Sequence, residues 1–152
     1  ELPVLFANNV KGEFIEIEGL IEIDTDKQKD NKAIFSVRID SIEMNYKKYK
    51  DLLLSNIFFD TKNFPIALVD TKIFSYENQD NLKFEVELKI KNFTHMVPVE
   101  LNIIKLASDL VQIRGEINFS RTAFNIGVGK WSSTSILRDK AFIKINLFLF
   151  RE

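Results

Sequence analysis

Lys83-Phe84-Glu85-Val86-Glu87-Leu88-Lys89-Ile90-Lys91 is the stretch that decides the fold. Phe84, Val86, Leu88 and Ile90 share one face of an extended chain, and the five charged residues share the other. Successive side chains of a strand point to opposite faces, so this segment has one dry face and one wet face. A helix would scatter the same charges around its axis.

The period of two recurs on both sides of this stretch. Ile15, Ile17, Ile21 and Ile23 alternate with Glu16, Glu18 and Glu22, and Gly19 between them is expected to mark a bulge or bend. Phe35, Val37 and Ile39 alternate with Ser36, Arg38 and Asp40, while Ala67, Val69, Thr71 and Ile73 form a weaker strand. Val97, Val99, Leu101 and Ile103 make the next dry face, followed by Val111, Ile113, Gly115, Ile117 and Phe119. Ala141, Ile143, Ile145, Leu147 and Leu149 close the chain, and Val4-Leu5-Phe6 adds a short strand at its start. The breaks are polar: a solvated loop over 24–32, a hairpin turn over 77–81 and another at Ala107-Ser108-Asp109. Many one-faced strands with turns between them indicate an antiparallel barrel or sandwich. A chain of 152 residues suits one domain over 1–152 with a core that needs no staples.

One segment departs from the alternation. Tyr46 to Ile57 has no Gly or Pro and reads as a helical turn or two, with Asn45 as its expected N-cap. Tyr49, Leu52, Leu53 and Phe59 recur at near-helical spacing, and Lys47, Lys48, Lys50 and Asp51 supply the wet side. Phe64-Pro65 ends the excursion and leads into a strand. So long and apolar a connection is expected to plug or flank one end of the barrel.

Composition removes several function classes. With 21 basic and 22 acidic residues and a net charge of −1, no broad nucleic-acid face is expected. There is no Cys for a disulfide or a thiolate site, and one His, His95, which excludes a multi-histidine metal site. No apolar run approaches the ~20 residues of a membrane span. No targeting segment precedes Glu1-Leu2-Pro3, so one was either removed or never there. The acid pairs Glu16 with Glu18 and Glu85 with Glu87 fall on wet faces, away from any cleft that would raise a carboxyl pKa. No catalytic residue, metal or cofactor is expected.

Three residues stand out as polar groups for the barrel ends. Arg121 continues the inward register of Val111 to Phe119 and is read either as an ion pair that fixes a loop or as a contact to a ligand head group. His95 is read as an exposed turn residue or as a hydrogen-bond donor at a pocket mouth, and Tyr49 as a further head-group contact. Gly127-Val128-Gly129 reads as a tight turn, with Trp131 after it closing one barrel end. On the last strand, Phe142, Phe148 and Phe150 face away from Ile143, Ile145 and Leu147, so a homodimer through this outer face is expected.

An ordered set of short motifs resembles the YceI-like family of small bacterial lipocalin-like barrels. Leu53-x-Ser55-x-x-Phe58-Phe59-Asp60 and Asn63-Phe64-Pro65 look like the family's short helix and its aromatic-Pro entry into a strand. Val10-Lys11-Gly12-Glu13-Phe14 resembles the family's opening, and Thr94-His95-Met96-Val97, Arg121-x-x-Phe124-x-Ile126-Gly127, Gly129-Lys130-Trp131 and Asp139-Lys140-Ala141 follow in order. Ala123 and Asn125 stand where the family has Asp and Gly. The resemblance implies an all-β, antiparallel lipocalin-like barrel of about eight strands, with a short helical excursion near 46–59.

It also implies a periplasmic or secreted carrier that holds an isoprenoid, quinone or fatty amide in an apolar tunnel. The expected wall is Ile17, Phe35, Val37, Ile39, Val69 and Ile73, then Phe84, Val86, Leu88, Val99 and Leu101, then Ile113, Phe119, Ile143 and Ile145, with Leu53, Phe58 and Phe59 from the excursion. Alternation itself shows that the inward faces are apolar and leaves open a filled interior, as in a solid-core interaction module.

Overall fold

The alternating segments form a closed antiparallel ring in the computed structural model, which describes residues 2–7, 10–22, 31–44, 46–72, 82–135 and 137–150. The strands are β1 (Leu2–Ala7), β2 (Val10–Phe14), β3 (Ile17–Glu22), β4 (Lys32–Arg38), β5 (Ile42–Glu43), β6 (Ile66–Asp70), β7 (Leu82–Ile90), β8 (Phe93–Ala107), β9 (Leu110–Ser120) and β10 (Lys140–Phe150). One helix, α1 (Lys47–Leu54), lies between β5 and β6. The sheet order is β3-β4-β6-β7-β8-β9-β10-β1-β2-β5.

Two pairs of these segments are continuous strands. β2 runs into β3 across Ile15 and Glu16, and β4 runs into β5 through a 3-10 turn at Ile39–Ser41. Because β3 bonds β4 and β2 bonds β5, the two ladders are halves of one bent pair. The Arg38 amide bridges them by donating to the Glu16 carbonyl at 3.0 Å. The ten segments are therefore eight strands in sequence order, and β1 closes the ring by bonding both β10 and β2.

The expected register holds on most strands. Val86, Leu88, Val99, Leu101 and Ile113 are buried, while Glu85, Lys89 and Glu100 are exposed and Glu87 is half-buried. Along β10, Ala141 and Ile143 are buried, and Ile145, Leu147 and Leu149 are half-buried. Among the described residues β1 meets β10 at Val4–Ile143 and Leu5–Phe142, so the far half of β10 is bonded to β9 alone. Phe148 and Phe150 are exposed on the outside, whereas Phe142 is half-buried with the Lys140 ammonium 5.0 Å from its ring. The turn at Ser108-Asp109 joins β8 to β9 as read, and Ile73 and the turn at 77–81 lie outside the described residues.

Three expectations are corrected. The inward parity changes at the β2–β3 bend, so Phe14 is buried and Ile15, read as inward, is exposed. Gly19 is neither bulge nor bend but sits in regular register opposite Phe35. A Cβ there would lie 2.8 Å from Phe35 Cδ1 and 2.7 Å from the Ile34 carbonyl, so glycine makes room for the Phe35 ring inside the barrel. Helix α1 starts from Tyr46 without a side-chain cap; Asn45 lies outside the described residues.

Gly115 is the second close approach. A Cβ there would lie 2.6 Å from the Glu100 carbonyl and against the Leu101 side chain, where β8 and β9 press together. Gly115→Val is expected to lower stability in urea unfolding by about 1–3 kcal/mol or more, as overpacking does. Unchanged stability would mean that β8 and β9 are not in this register.

Candidate functional site

Inward side chains of the ring enclose two apolar cavities that share part of their walls. The first, of about 40 Å³, is lined by side chains that include Phe14, Ile17, Val37, Ile39, Phe59, Ala67, Leu88, Ile90, Phe119 and Ile143. The second, of about 30 Å³, is lined by Ala33, Thr71, Val86, Val99, Leu101 and Ile113. Phe35, Val69, Ile117, Ile145 and Leu147 border both. The two cavities thus follow one another from Phe59 and Ile90 at one end of the barrel towards Thr71 and Leu101 at the other.

Close-packed interiors leave few voids larger than a water molecule. About 10–15 Å³ suffices for one water, and both cavities exceed that. Their linings offer water almost nothing to bond. Among the described residues Thr71 is the one polar lining residue, and its hydroxyl accepts from the Ala33 amide at 2.7 Å and donates to the Lys72 carbonyl at 2.8 Å. A dry apolar cavity of this kind suits an apolar guest.

The end nearest Phe59 is plugged by two loops. After α1 the chain turns through Phe58 and Phe59, both buried. Phe58 packs on Trp131 with ring centroids 5.7 Å apart, and the amides of Gly127 and Val128 both donate to the Ile57 carbonyl, at 2.9 and 3.0 Å. Leu53, Phe58 and Phe59 therefore meet the expectation that the excursion closes one end. Phe59 borders the first cavity, while Leu53 and Phe58 lie behind it in the core.

Arg121 holds this plug together from inside. The side chain has no exposed surface, and its guanidinium donates to the carbonyls of Arg138 (2.8 Å), Ile126 (2.9 Å), Leu137 (2.7 Å) and Ser133 (3.4 Å). The expected acidic partner is replaced by backbone, and the donors are spent within the loop over 121–139 rather than offered to a ligand. Gly127 sits directly against it, at φ +88°, where a Cβ would lie 2.6 Å from Nη1. Asp139 fixes the neighbouring turn, accepting from Ser120 Oγ at 2.7 Å and from Thr122 Oγ1 at 2.6 Å and its amide at 3.1 Å. Burial opposes ionisation of Asp139, but these donors and the Arg121 charge prevail and hold its carboxyl below the usual carboxylate range.

The other two polar candidates also point away from the cavities. His95 is not in a turn but near the start of β8, opposite Leu88. It is exposed, its Nε2 lies 2.9 Å from the Ala123 carbonyl, and its ring stands edge-on to Phe124 at 5.0 Å. Phe124, fully buried, meets Phe119 in the cavity wall at 5.6 Å, so His95 braces the plug from outside. Tyr49 is exposed on α1 against Tyr46, at 5.7 Å. Of the remaining expected wall residues, Phe84 is half-buried against the core and borders neither cavity. Phe14, Ala33, Ala67, Ile90, Ile117 and Leu147 line the cavities without having been singled out; all but Phe14 extend alternations legible in the sequence.

The YceI-like domain family model matches residues 3–149. The chain belongs to the YceI-like family. Its fold is similar to Burkholderia cenocepacia BcnA, at TM-score 0.89 and 24% identity over 97% of this chain and 94% of that one. It is also similar to the Campylobacter jejuni YceI protein, at TM-score 0.80 and 20% identity over 97% and 88% of the two chains. A polyisoprenoid-binding domain from Saccharophagus degradans, implicated in plant cell wall breakdown, superposes at TM-score 0.70 and 11% identity over 99% and 92%. No curated protein matches the sequence significantly. Among the described residues no helix is long and apolar enough to cross a membrane.

Two outcomes test the plug. Arg121→Met is expected to destabilise the protein by about 3 kcal/mol or more in chemical unfolding, since each buried carbonyl left unpaired costs roughly 1–3 kcal/mol. The Asp139 contribution is complete above the ordinary carboxylate pKa of ~3.9 and is lost as pH falls through the lower folded-state value. Acid titration of Asp139→Asn should therefore lose part of the parent's stability decline below about pH 4.

Proposed function

We propose that this YceI-like domain carries or sequesters a long apolar ligand, such as an isoprenoid, quinone or fatty amide, with its tail inside the barrel. The observation that carries this reading is the pair of apolar cavities that share Phe35, Val69, Ile117, Ile145 and Leu147 along the barrel. Membership of the family supports apolar-ligand binding, as does the likeness to a polyisoprenoid-binding domain.

Drug-sized sites usually measure ~300–1,000 Å³. Ligand entry therefore requires side chains to swing aside, and the half-buried Phe35, Ile145 and Leu147, which border both cavities, are placed to do so. Binding is favoured over catalysis because Thr71, the polar lining residue among those described, already uses its hydroxyl twice. With the plug polar groups turned to backbone, ligand selection falls to tail length and shape rather than to a head group. Family membership favours a periplasmic or secreted site of action, with residues 1–152 acting as one binding unit.

The test is Val69→Phe, which adds volume where the two cavities meet. If the interior receives a ligand, the ring should fill free space, costing less than the roughly 1–3 kcal/mol of ordinary overpacking. Binding of a fluorescent polyene, delivered from ethanol, should fall at least tenfold, about 1.4 kcal/mol. Failure of the parent protein to bind the polyene, with strong destabilisation by Val69→Phe, would favour a solid-core interaction module.

A further inference from the structure

Two strand edges on one flank of the ring face each other with no described strand between them. β2, which continues into β3, and β10 both pair antiparallel with β1, so β3 and the far half of β10 run in the same direction. Among the described residues β3 bonds β4 alone, and β10 beyond Ile143 bonds β9 alone. Ile17 from the first edge and Ile145 and Leu147 from the second line the same cavity. The two edges therefore bound a slot in the barrel wall beside that cavity.

Burial marks the same place. The residues that line the two cavities are all buried except Ile17, Phe35, Ile145 and Leu147, which are half-buried. Three of these stand on the two edges, and the fourth, Phe35, is paired with Gly19 on β3. Gly19 shares the inward face with Ile17 and yet is exposed, and Leu149, the next inward residue of β10, is half-buried. An inward residue of a sealed ring has no route to water. Exposure confined to these positions locates an opening in the side of the ring. The ends are closed by comparison: Phe59 and Ile90 are buried at one, and Ala33, Thr71 and Leu101 at the other.

The Phe35 ring covers the lumen at this opening. It borders both cavities and lies over Gly19, where a Cβ would stand 2.8 Å from Cδ1. Gly19 has no side chain, so turning Phe35 about χ1 to another staggered well uncovers the lumen beside β3. A larger residue at position 19 would block that place permanently.

We infer that the slot between β3 and β10 is the ligand's entrance and that Phe35 is its gate, so that an apolar chain is loaded through the side of the barrel. The inference rests on the proposed function and adds to it the route and the residue that controls it. A chain entering sideways meets both cavities at once, since Phe35, Ile145 and Leu147 border both. Entry at the Phe59 end would instead have to part the loops that Arg121 ties through four carbonyls.

The experiment follows binding of the fluorescent polyene, delivered from ethanol, by stopped flow. It compares the parent with Phe35→Ala and with three single substitutions in this Cys-free chain: Leu149→Cys at the slot, Asp109→Cys in the β8–β9 turn and Lys62→Cys in the loop between α1 and β6. Each of the three is measured before and after coupling to a bulky maleimide. A gate sets rates rather than the final complex, so Phe35→Ala should raise the association and dissociation rate constants together, each roughly tenfold or more, and move Kd less than either. The adduct at Leu149→Cys should slow association by a similar factor, and the adducts at Asp109→Cys and Lys62→Cys should leave it unchanged. Unchanged association in Phe35→Ala, with faster dissociation alone, would make Phe35 a wall residue and overturn the gate. Slowing by the adduct at Asp109→Cys or Lys62→Cys, with none at Leu149→Cys, would overturn the slot and move the entrance to that end of the barrel. Both results leave the proposed function standing, because the parent still binds polyene at equilibrium; a parent that binds none removes the function and the entrance together.

Discussion

The short ladders that tie β1 to β10 on one side and to β2 on the other convert a curved sheet into a ring, and the interior exists because of them. A ring of eight strands has no second layer to pack against. Every inward side chain must find its partners across the lumen, or a ligand must supply them. Among the described residues the lumen is lined by apolar side chains apart from Thr71, and two cavities remain between them. The glycines that permit this geometry have separate tasks. Gly19 yields space to the Phe35 ring, and Gly115 lets β8 and β9 close up at Leu101.

The two ends of the ring are built on different principles. At one end a buried guanidinium collects four carbonyls from a loop that has little regular structure of its own. Arg is suited to this task because its planar fork presents several donors in fixed directions and stays charged when buried. The Asp139, His95 and Phe58–Trp131 contacts add further ties to the same loop. The other end has strand tips and the half-buried Leu147 and Leu149.

Much of this was legible in the sequence. Alternation in β7, β8 and β9 gave strand identity, register and the inward residues, because a period of two is a direct consequence of extended backbone. The exposed Phe148 and Phe150 followed from the same rule. Local bends were not legible: Ile15 continues an isoleucine alternation, and nothing in its neighbours reveals that the chain reverses parity after Phe14. The partners of Arg121 were hidden for another reason. They are main-chain carbonyls at 126, 133, 137 and 138, brought to it by loop geometry, and carbonyls carry no residue signature. His95 precedes the alternation at Val97 and so reads as a turn residue, whereas pairing with β7 extends β8 through it. Whether an apolar interior is packed or hollow depends on summed side-chain volumes across the ring, which alternation does not encode.

On the proposed function, the lumen accepts an apolar chain lengthwise. A crystal structure of the protein loaded with a long-chain polyprenol tests it most directly. Continuous ligand density through the barrel from Phe59 towards Thr71 is expected, with Phe35, Ile145 and Leu147 turned aside to admit it. Density confined to the outer wall, with the interior side chains unmoved, would contradict it.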